Sequence, residues 1–286
     1  MLSEKSVLSL SRASVQVGLV WGALGLTGCA RLFGARDAAA PAIPASLPNQ
    51  DTPAPDDAMP PALASEDDYV VRIVVGSVTC SGALIRDDRV LTAHHCVAAR
   101  DGKGNPLAED VSPESVRVEL GGDYLPWGEV GVRAVLAPNC GYVSGDGDLA
   151  LLVLERRLVG IATRPARLEA PPTKHDQIEP IGFGRCALSA DGIHRKHRLG
   201  GAIELVSDGR FRLDAAICPG DSGGPAVSTE GGEILGVISA SAMDGDEHTR
   251  DRSEFVRVDR WRPLFAYAEL VSNGASPSEI PPIECK

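Results

Sequence analysis

An excess of basic charge is the first thing that this chain lacks. Its 28 lysines and arginines stand against 39 aspartates and glutamates, which gives a formal net charge of −11 at pH 7. Nucleic acids and anionic lipid surfaces attract proteins mainly through clustered positive charge. The composition therefore argues against nucleic acid as a partner and against electrostatic attachment to a membrane.

Spacings that suit a metal ion are also missing. His175, His194, His197 and His248 lie in polar stretches and are not arranged as metal ligands usually are. The acidic run at residues 244–247 lacks the alternating oxygen ligands of a calcium loop. We therefore expect no metal and no other cofactor.

The only marked apolar run near the N-terminus is too short to cross a bilayer comfortably. It covers residues 15–26, follows Lys5 and Arg12, and leads into Cys29. A basic start before a short apolar run is typical of an export signal, which we place at residues 1–28. The alternatives for Cys29 are a lipid attachment site and an incidental cysteine after an ordinary secretory signal.

The Leu-Thr-Gly-Cys sequence at residues 26–29 resembles the lipobox of bacterial lipoproteins. The resemblance implies that Cys29 becomes the lipidated N-terminus of the mature chain. Several acyl chains hold a protein at a membrane far better than one. The expected localisation is therefore the bacterial cell envelope, on its periplasmic or outer-surface side.

The rest of the chain divides by composition. Residues 29–66 are rich in Ala, Pro and Asp without a periodic apolar pattern, which predicts a disordered tether; the alternative is a propeptide removed on maturation. Residues 67–272 form the predicted globular domain, and residues 273–286 a C-terminal tail.

Within the globular domain, short β-branched or alternating segments are separated by turn residues. The predicted strands lie at residues 70–75, 116–120, 211–213 and 234–238. Many short strands of this kind indicate an all-β barrel or sandwich. One helix is predicted over residues 260–271, with Asp259 as its N-cap.

The most informative segment is Cys-Pro-Gly-Asp-Ser-Gly-Gly-Pro at residues 218–225, which sets Ser222 among glycines. Glycines let the backbone approach a substrate closely and leave N–H groups to stabilise an oxyanion. The segment also fits the nucleophile elbow of α/β-hydrolases. Those enzymes, however, run serine, acid, histidine along the chain, whereas here His95 and Asp148 precede Ser222.

These motifs together resemble those of the trypsin-like (chymotrypsin-fold) serine proteases. His95 directly precedes Cys96, and Asp148 leads into an apolar strand, as in that family. Further matching segments lie at residues 80–85, 181–184, 236–239 and 256–261. The resemblance spans residues 67–272 and implies two packed antiparallel six-stranded β-barrels followed by a C-terminal α-helix.

The resemblance also implies an activity. The chain would be a monomeric serine endopeptidase that cleaves a protein or peptide substrate through an acyl-enzyme. Ser222 would be the nucleophile, His95 the general base and Asp148 the group that orients His95, while the N–H groups of Gly220 and Ser222 would form the oxyanion hole. One alternative is a catalytically inactive lipoprotein of the same fold that acts as a binding or scaffold protein. Another is an esterase that uses the same triad and would hydrolyse esters without cleaving peptides.

Specificity follows from three further positions. The resemblance places Ala216 at the base of the primary pocket, where a preference for Arg or Lys would need an aspartate. The same resemblance implies that Ser241 stands where the family has a wall glycine and would narrow the pocket, and that Ser239 would line the pocket and contact Asp148. These residues predict cleavage after small or medium apolar side chains.

Seven cysteines are present, and setting Cys29 aside leaves six, which fits three disulfides in an exported protein. The family resemblance implies the pair Cys80–Cys96. Analogy with the fold suggests Cys186–Cys218 and then Cys140–Cys285, although sequence alone does not fix this connectivity.

One feature of many family members is missing. They mature by cleavage to an Ile-Val-Gly-Gly terminus whose ammonium pairs with the aspartate before the nucleophile, here Asp221. The similar sequence at residues 73–76 lies too close to Cys80 and belongs in the first strand. A buried unpaired carboxylate is costly, so Asp221 must find another cation or hydrogen-bond donors, or leave the pocket partly collapsed.

Overall fold

The computed structural model describes residues 65–122, 125–139, 146–190, 192–242 and 245–284. This part of the chain is mostly β, as the short alternating segments predict. The strands of its first half are β1 (Val70–Val75), β2 (Val78–Arg86), β3 (Arg89–Thr92), β4 (Ala98–Arg100), β5 (Pro106–Asp110), β6 (Val116–Leu120), β7 (Gly128–Leu136) and β8 (Ala150–Leu154). The strands of its second half are β9 (Gln177–Gly182), β10 (Lys196–His197), β11 (Gly201–Ala202), β12 (Leu205–Val206), β13 (Arg210–Ala215), β14 (Pro225–Ser228), β15 (Ile234–Ser241) and β16 (Asp251–Arg257).

Six strands of the first half close into an antiparallel barrel, in the order β1-β2-β3-β8-β7-β6. The alternation in β6 buries Val116, Val118 and Leu120 on the inner face, as a period of two requires. Strand β8 is buried at all five positions. The closed barrel therefore has a continuous aliphatic core and no free edge among these six strands.

The second half is an eight-stranded sheet rather than a set of six strands. Its order is β10-β9-β14-β15-β16-β13-β12, with β11 pairing to β9. The number rises above six because residues 196–206 contribute three strands of only two residues each. Its core includes Phe211 and Phe255, whose stacked rings have centroids 5.1 Å apart.

The C-terminal helix starts later than the sequence predicts. A short 3-10 helix covers Asp259–Trp261, and the α-helix α2 runs over Arg262–Ser272. Asp259 does not cap it, because its carboxylate pairs with Arg257 at 2.7 Å. The apolar face of α2 packs against β7 and β8 of the barrel through four buried side chains, Leu264, Phe265, Ala268 and Val271.

A single helical turn, α1 (His94–Val97), follows β3 in the barrel and contains His95. Across the described ranges, no helix combines the length and the apolar character needed to cross a membrane. The predicted signal, Cys29 and most of the tether precede residue 65, and Cys140 and Cys285 also lie outside the described residues. Close to those two cysteines, the N–H of Asn139 donates to the carbonyl of Ile283 at 2.9 Å.

Candidate active site

Strand pairing in the barrel brings His95 and Asp148 together. His95 lies in α1, just after β3, and Asp148 lies just before β8. Strands β3 and β8 are antiparallel, with Thr92 opposite Ala150, so the end of one meets the start of the other. The distance between His95 Nδ1 and Asp148 Oδ2 is 2.8 Å.

Asp148 is held by donors from both halves of the domain. Its Oδ1 accepts the backbone N–H of His95 at 2.9 Å, and its Oδ2 also accepts the hydroxyl of Ser239 from β15. Burial acts to raise the pKa of Asp148, but the His95 ring and these hydrogen bonds outweigh it and hold the pKa below its usual value. The carboxylate is therefore kept ionised beside the imidazole at neutral pH.

Ser222 lies in the loop between β13 and β14, pressed against the barrel. Its carbonyl accepts the N–H of Ser81 at 2.8 Å. The next residue, Gly223, has φ of +84°, and a Cβ there would lie 2.2 Å from Thr92 Oγ1 and 2.3 Å from the Ser81 carbonyl oxygen. Only glycine fits this close approach, which explains the residue after the serine.

The Cys80–Cys96 disulfide lies between the histidine and the serine. A ring nitrogen of His95 and the two sulfur atoms lie within 4.8 Å of one another. Cys96 Sγ is also 3.6 Å from the carbonyl oxygen of Ser222. The backbone of Ser222 and the ring of His95 therefore approach the same disulfide. Within the part of the chain that the structure describes, the Ser222 hydroxyl and the His95 ring form no hydrogen bond.

Two backbone N–H groups beside the serine have no acceptor. In the loop at residues 218–224, the N–H groups of Cys218, Asp221, Gly223 and Gly224 all donate to protein oxygens. Within the described part of the chain, those of Gly220 and Ser222 do not. Gly220 has φ of +100°, a conformation that favours glycine. Adjacent unused donors of this kind can stabilise a negatively charged oxygen.

The family model described as Trypsin matches residues 60–264, well over half of the sequence. The chain belongs to the trypsin family. The resemblance given by the sequence motifs is confirmed at this level.

Several relatives of this trypsin-family chain are peptidases by name. Protease Do-like 2, chloroplastic, from Arabidopsis thaliana is 30% identical over 167 residues, which are 56% of this chain and only 23% of that protein. A protein named "Uncharacterized peptidase" from Corynebacterium glutamicum (strain R) is 22% identical over 243 residues, 76% of this chain and 78% of the relative.

A solved structure confirms the chymotrypsin-like fold. That structure is a Glu endopeptidase in complex with MPD, and its match to this chain has a TM-score of 0.56 and 15% sequence identity. The match covers 75% of this chain and 95% of the endopeptidase chain. At this identity the likeness concerns the fold alone.

Among the described residues, Asp221 pairs with an internal cation, Arg198. The fully buried carboxylate lies 2.8 Å from Arg198 Nε through Oδ2, and its Oδ1 accepts Arg198 Nη2 at 3.1 Å. The N–H groups of Gly184 and Cys218 donate to it at 2.6 and 2.8 Å. The buried carboxylate was expected to need a cation or hydrogen-bond donors, and the structure supplies both.

Like Arg198, Ser81 supports the loop of Ser222 and was not predicted to do so from the sequence. Its side chain is fully buried in β2. Its hydroxyl donates to the Gly220 carbonyl at 2.8 Å and accepts the Phe183 N–H at 2.8 Å. The only sequence signal was its place beside Cys80, which gives no hint of these partners.

Ser253 joins the residues expected at the pocket. Ala216 is buried and Ser241 partly buried, and the Ser241 hydroxyl is 2.8 Å from that of Ser253. Ser253 is fully buried on β16, opposite Ser241 in the strand register. Ser239 is instead directed to Asp148, as the resemblance implied.

Two of the three expected disulfides, Cys80–Cys96 and Cys186–Cys218, fall within the described residues, and both are formed. The second closes the loop that carries Gly220 and Ser222 against the segment after β9. The predicted pair Cys140–Cys285 stays a prediction. Because Cys80 and Cys96 are bonded to each other, their sulfurs do not offer the thiolates that a metal would need.

Proposed function

We propose that this chain is a serine endopeptidase that uses His95, Asp148 and Ser222. The observation that carries the proposal is the His95–Asp148 contact at 2.8 Å in a trypsin-family domain whose Ser222 loop packs on the residue next to His95. Catalytic hydrogen bonds are often long in the absence of substrate, so the missing Ser222–His95 bond is compatible with this role.

In the proposed reaction, Ser222 Oγ attacks the scissile carbonyl carbon while His95 Nε2 takes its proton. The Nδ1 contact with Asp148 fixes the tautomer that leaves Nε2 basic and stabilises the imidazolium that forms. His95 then gives the proton to the leaving amine, and water releases the acyl group from Ser222 by the same steps.

The oxyanion hole of the proposed enzyme is the pair of N–H groups on Gly220 and Ser222. Both are unused in the described part of the chain, while their neighbours donate to protein oxygens. A single donor of this kind typically contributes about 10²–10³ in rate. The loop is therefore arranged for charge that develops only during the reaction.

The proposed specificity is for a small or medium apolar residue on the acyl side of the cleaved bond. Ala216 supplies no charge to the proposed pocket. Ser241 on β15 and Ser253 on β16 form a hydrogen-bonded pair that would take up space at the pocket wall. Pockets that discriminate by methylene groups do so by about 10–200-fold. We accordingly propose a substrate that is a protein or peptide without a required basic residue.

Export and lipid attachment at Cys29 complete the proposal and rest on the sequence alone. The enzyme would act as a monomer at the bacterial cell envelope, held by residues 29–66 as a tether. No nucleic acid is needed as a partner, in keeping with the net charge of −11.

A fluorophosphonate probe tests the catalytic part. We expect the wild type to be labelled at Ser222, and Ser222→Ala to lose the label. The matched control is Ser207→Ala, because Ser207 is an exposed loop serine far along the chain from His95 and should label as the wild type does. If the wild type resists the probe, or if Ser222→Ala is labelled equally, the proposal is wrong and an inactive binding protein of the same fold is favoured.

A further inference from the structure

The segment at residues 195–198 is a run of basic side chains, and each has an acidic partner. Glu247 is shared, since its Oε2 lies 2.6 Å from Lys196 Nζ and 3.7 Å from Arg198 Nη1. In the sequence, such a run indicates a solvated loop. In the structure, part of it forms β10, which pairs with the end of β9. The ion pairs are Arg195–Asp68 at 2.7 Å, Lys196–Glu247 at 2.6 Å, His197–Glu179 at 3.0 Å, His197–Asp67 at 3.1 Å and Arg198–Asp221 at 2.8 Å.

Arg198 is the member of the run that turns inward. Its side chain is 2% exposed and that of Asp221 is 0% exposed. Its backbone N–H is bonded to the carbonyl of Pro180, and its Nη2 also donates to the Gly184 carbonyl. Bonds to the end of β9 and to the segment that follows β9 thus fix the position of Arg198, independently of its contact with the Asp221 carboxylate.

The completely buried carboxylate of Asp221 lies against the Arg198 guanidinium. Burial raises the pKa of Asp221, and the Arg198 guanidinium and the two backbone donors oppose that rise only in part. The guanidinium presents a planar set of donors that suits a carboxylate. Without this cation, a buried carboxylate next to the nucleophile would force the loop to rearrange.

Asp221 is the residue between Gly220 and Ser222, whose N–H groups we assign to the oxyanion hole. Its carboxylate accepts the N–H of Cys218, three residues before it, so it also folds the loop back on itself. We propose that Arg198 is a positioning residue that holds this loop in its active shape, so that the chain works without an activating cleavage between residues 65 and 80. This inference rests on the proposed function.

The start of the domain supports independence from cleavage. Ile73 lies within β1, paired with Cys80 of β2 on one side and Val118 of β6 on the other. A cut before Ile73 would therefore have to pull a strand out of a closed barrel. The residues before β1 are occupied as well, since Asp67 and Asp68 bind the segment that carries Arg198.

The first experiment removes the cation and then returns it in solution. Arg198→Ala should lower kcat by about 10²–10³, the loss expected when one oxyanion donor is misplaced, with a smaller effect on KM. Guanidinium ion, below concentrations that unfold the protein, should restore about tenfold or more of that loss. Sodium chloride at equal concentration should not, and Arg198→Lys should keep intermediate activity because an ammonium makes a point contact.

Arg167→Ala is the matched control. Arg167 also makes a two-point contact with an aspartate, through Nη1 and Nη2 to Asp176 at 3.2 and 2.7 Å, but on a loop that does not touch Asp221. Its variant should keep wild-type kcat, and guanidinium should not change it. A folded Arg198→Ala with wild-type kcat, or a loss that guanidinium does not repair better than sodium chloride, would overturn the inference.

The second experiment needs no variant and holds even if Arg198→Ala does not fold. Intact-mass analysis of wild type labelled by the fluorophosphonate should find the probe on chains that are uncut between residues 65 and 80. Probe found only on chains cut in that interval would overturn the inference while leaving the proposed activity in place. A wild type that takes no probe at all refutes the proposed function itself, and the inference falls with it.

Discussion

The hydroxyl of Ser81 offers the most decisive test, because it links β2 to the loop of Ser222 and to the segment after β9. It donates to the Gly220 carbonyl and accepts the Phe183 N–H, both at 2.8 Å. Ser81→Ala removes both bonds. It leaves the backbone bond from the Ser81 N–H to the Ser222 carbonyl in place, so the loop loses one of its two ties to β2.

The size of the effect follows from what is left unpaired. Each buried polar group that loses its partner costs about 1–3 kcal/mol, and here a carbonyl and an N–H are affected. We expect Ser81→Ala to be less stable by about 2–4 kcal/mol, since some rearrangement recovers part of the loss. For a domain of this size, that corresponds to a fall in Tm of roughly 4–16 °C.

The same substitution should slow the reaction. The bond to the Gly220 carbonyl restrains the Gly220–Asp221 peptide. Without it the backbone dihedral angles of Gly220 would be less fixed, and the N–H of Gly220, which belongs to the preceding peptide, would point less steadily at the oxyanion. Losing one donor outright costs about 10²–10³ in kcat, so loosening it should cost about 10–100-fold. Urea unfolding and steady-state kinetics on a peptide substrate measure the two effects separately.

Ser228→Ala is the control for a buried serine outside the loop. Ser228 is 4% exposed and its hydroxyl accepts only a local N–H, from Gly231 at 3.3 Å. The Ser228→Ala variant should lose less unfolding free energy than Ser81→Ala does, and its kcat should equal that of the wild type. A Ser81→Ala variant with wild-type Tm and wild-type kcat would refute the whole argument, whereas a lower Tm with unchanged kcat would reduce Ser81 to a structural role.

Three further predictions concern the other parts of the proposal. Asp148→Asn should lower kcat by about 10⁴, because the amide fixes the wrong tautomer of His95. Because the pKa of Asp148 is lowered in the folded state, its ionisation stabilises the fold above the unfolded pKa of 3.8, and this stabilisation is lost as the pH falls through the folded pKa. The difference in unfolding free energy between wild type and Asp148→Asn should therefore shrink over that pH interval. A difference that does not change with pH there would contradict this reasoning. Ser241→Gly combined with Ser253→Gly should shift cleavage towards larger apolar residues by about 10-fold or more in kcat/KM, as read from a peptide library; an unchanged profile would remove both from the pocket. Cys29→Ser should abolish incorporation of an alkyne fatty acid and release the protein from the membrane fraction, and a variant that remains acylated would exclude Cys29 as the site of lipid attachment.

The sequence predicted the regular parts of the fold closely. Strands β1 and β6 lie at residues 70–75 and 116–120, as expected, because β-branched residues and a period of two are local signals. The His95–Asp148 contact also followed from sequence motifs. The helix start did not, because Asp259 has a nearby arginine, Arg257, that competes for its carboxylate.

The residues that support the nucleophile loop could not be read from the sequence in the same way. Arg198 stands in a polar basic run, and its partner Asp221 is 23 positions away in the chain. Only the pairing of β10 with β9 decides which of the four basic side chains turns inward. Ser81 is likewise separated by 139 positions from Gly220, so its role depends on how the barrel and the sheet meet.

The candidate site is built by an exchange of contacts across the boundary between the barrel and the second sheet. The sheet contributes Ser239 to Asp148 of the barrel, and the barrel contributes Ser81 to the loop of Ser222. Neither half holds a complete site, because the histidine and its acid come from one and the serine from the other. A substitution that shifts one half against the other must therefore disturb both contacts at once, and Ser239→Ala and Ser81→Ala should accordingly lower kcat by less in combination than the product of their separate effects, since residues that act as a unit are not additive.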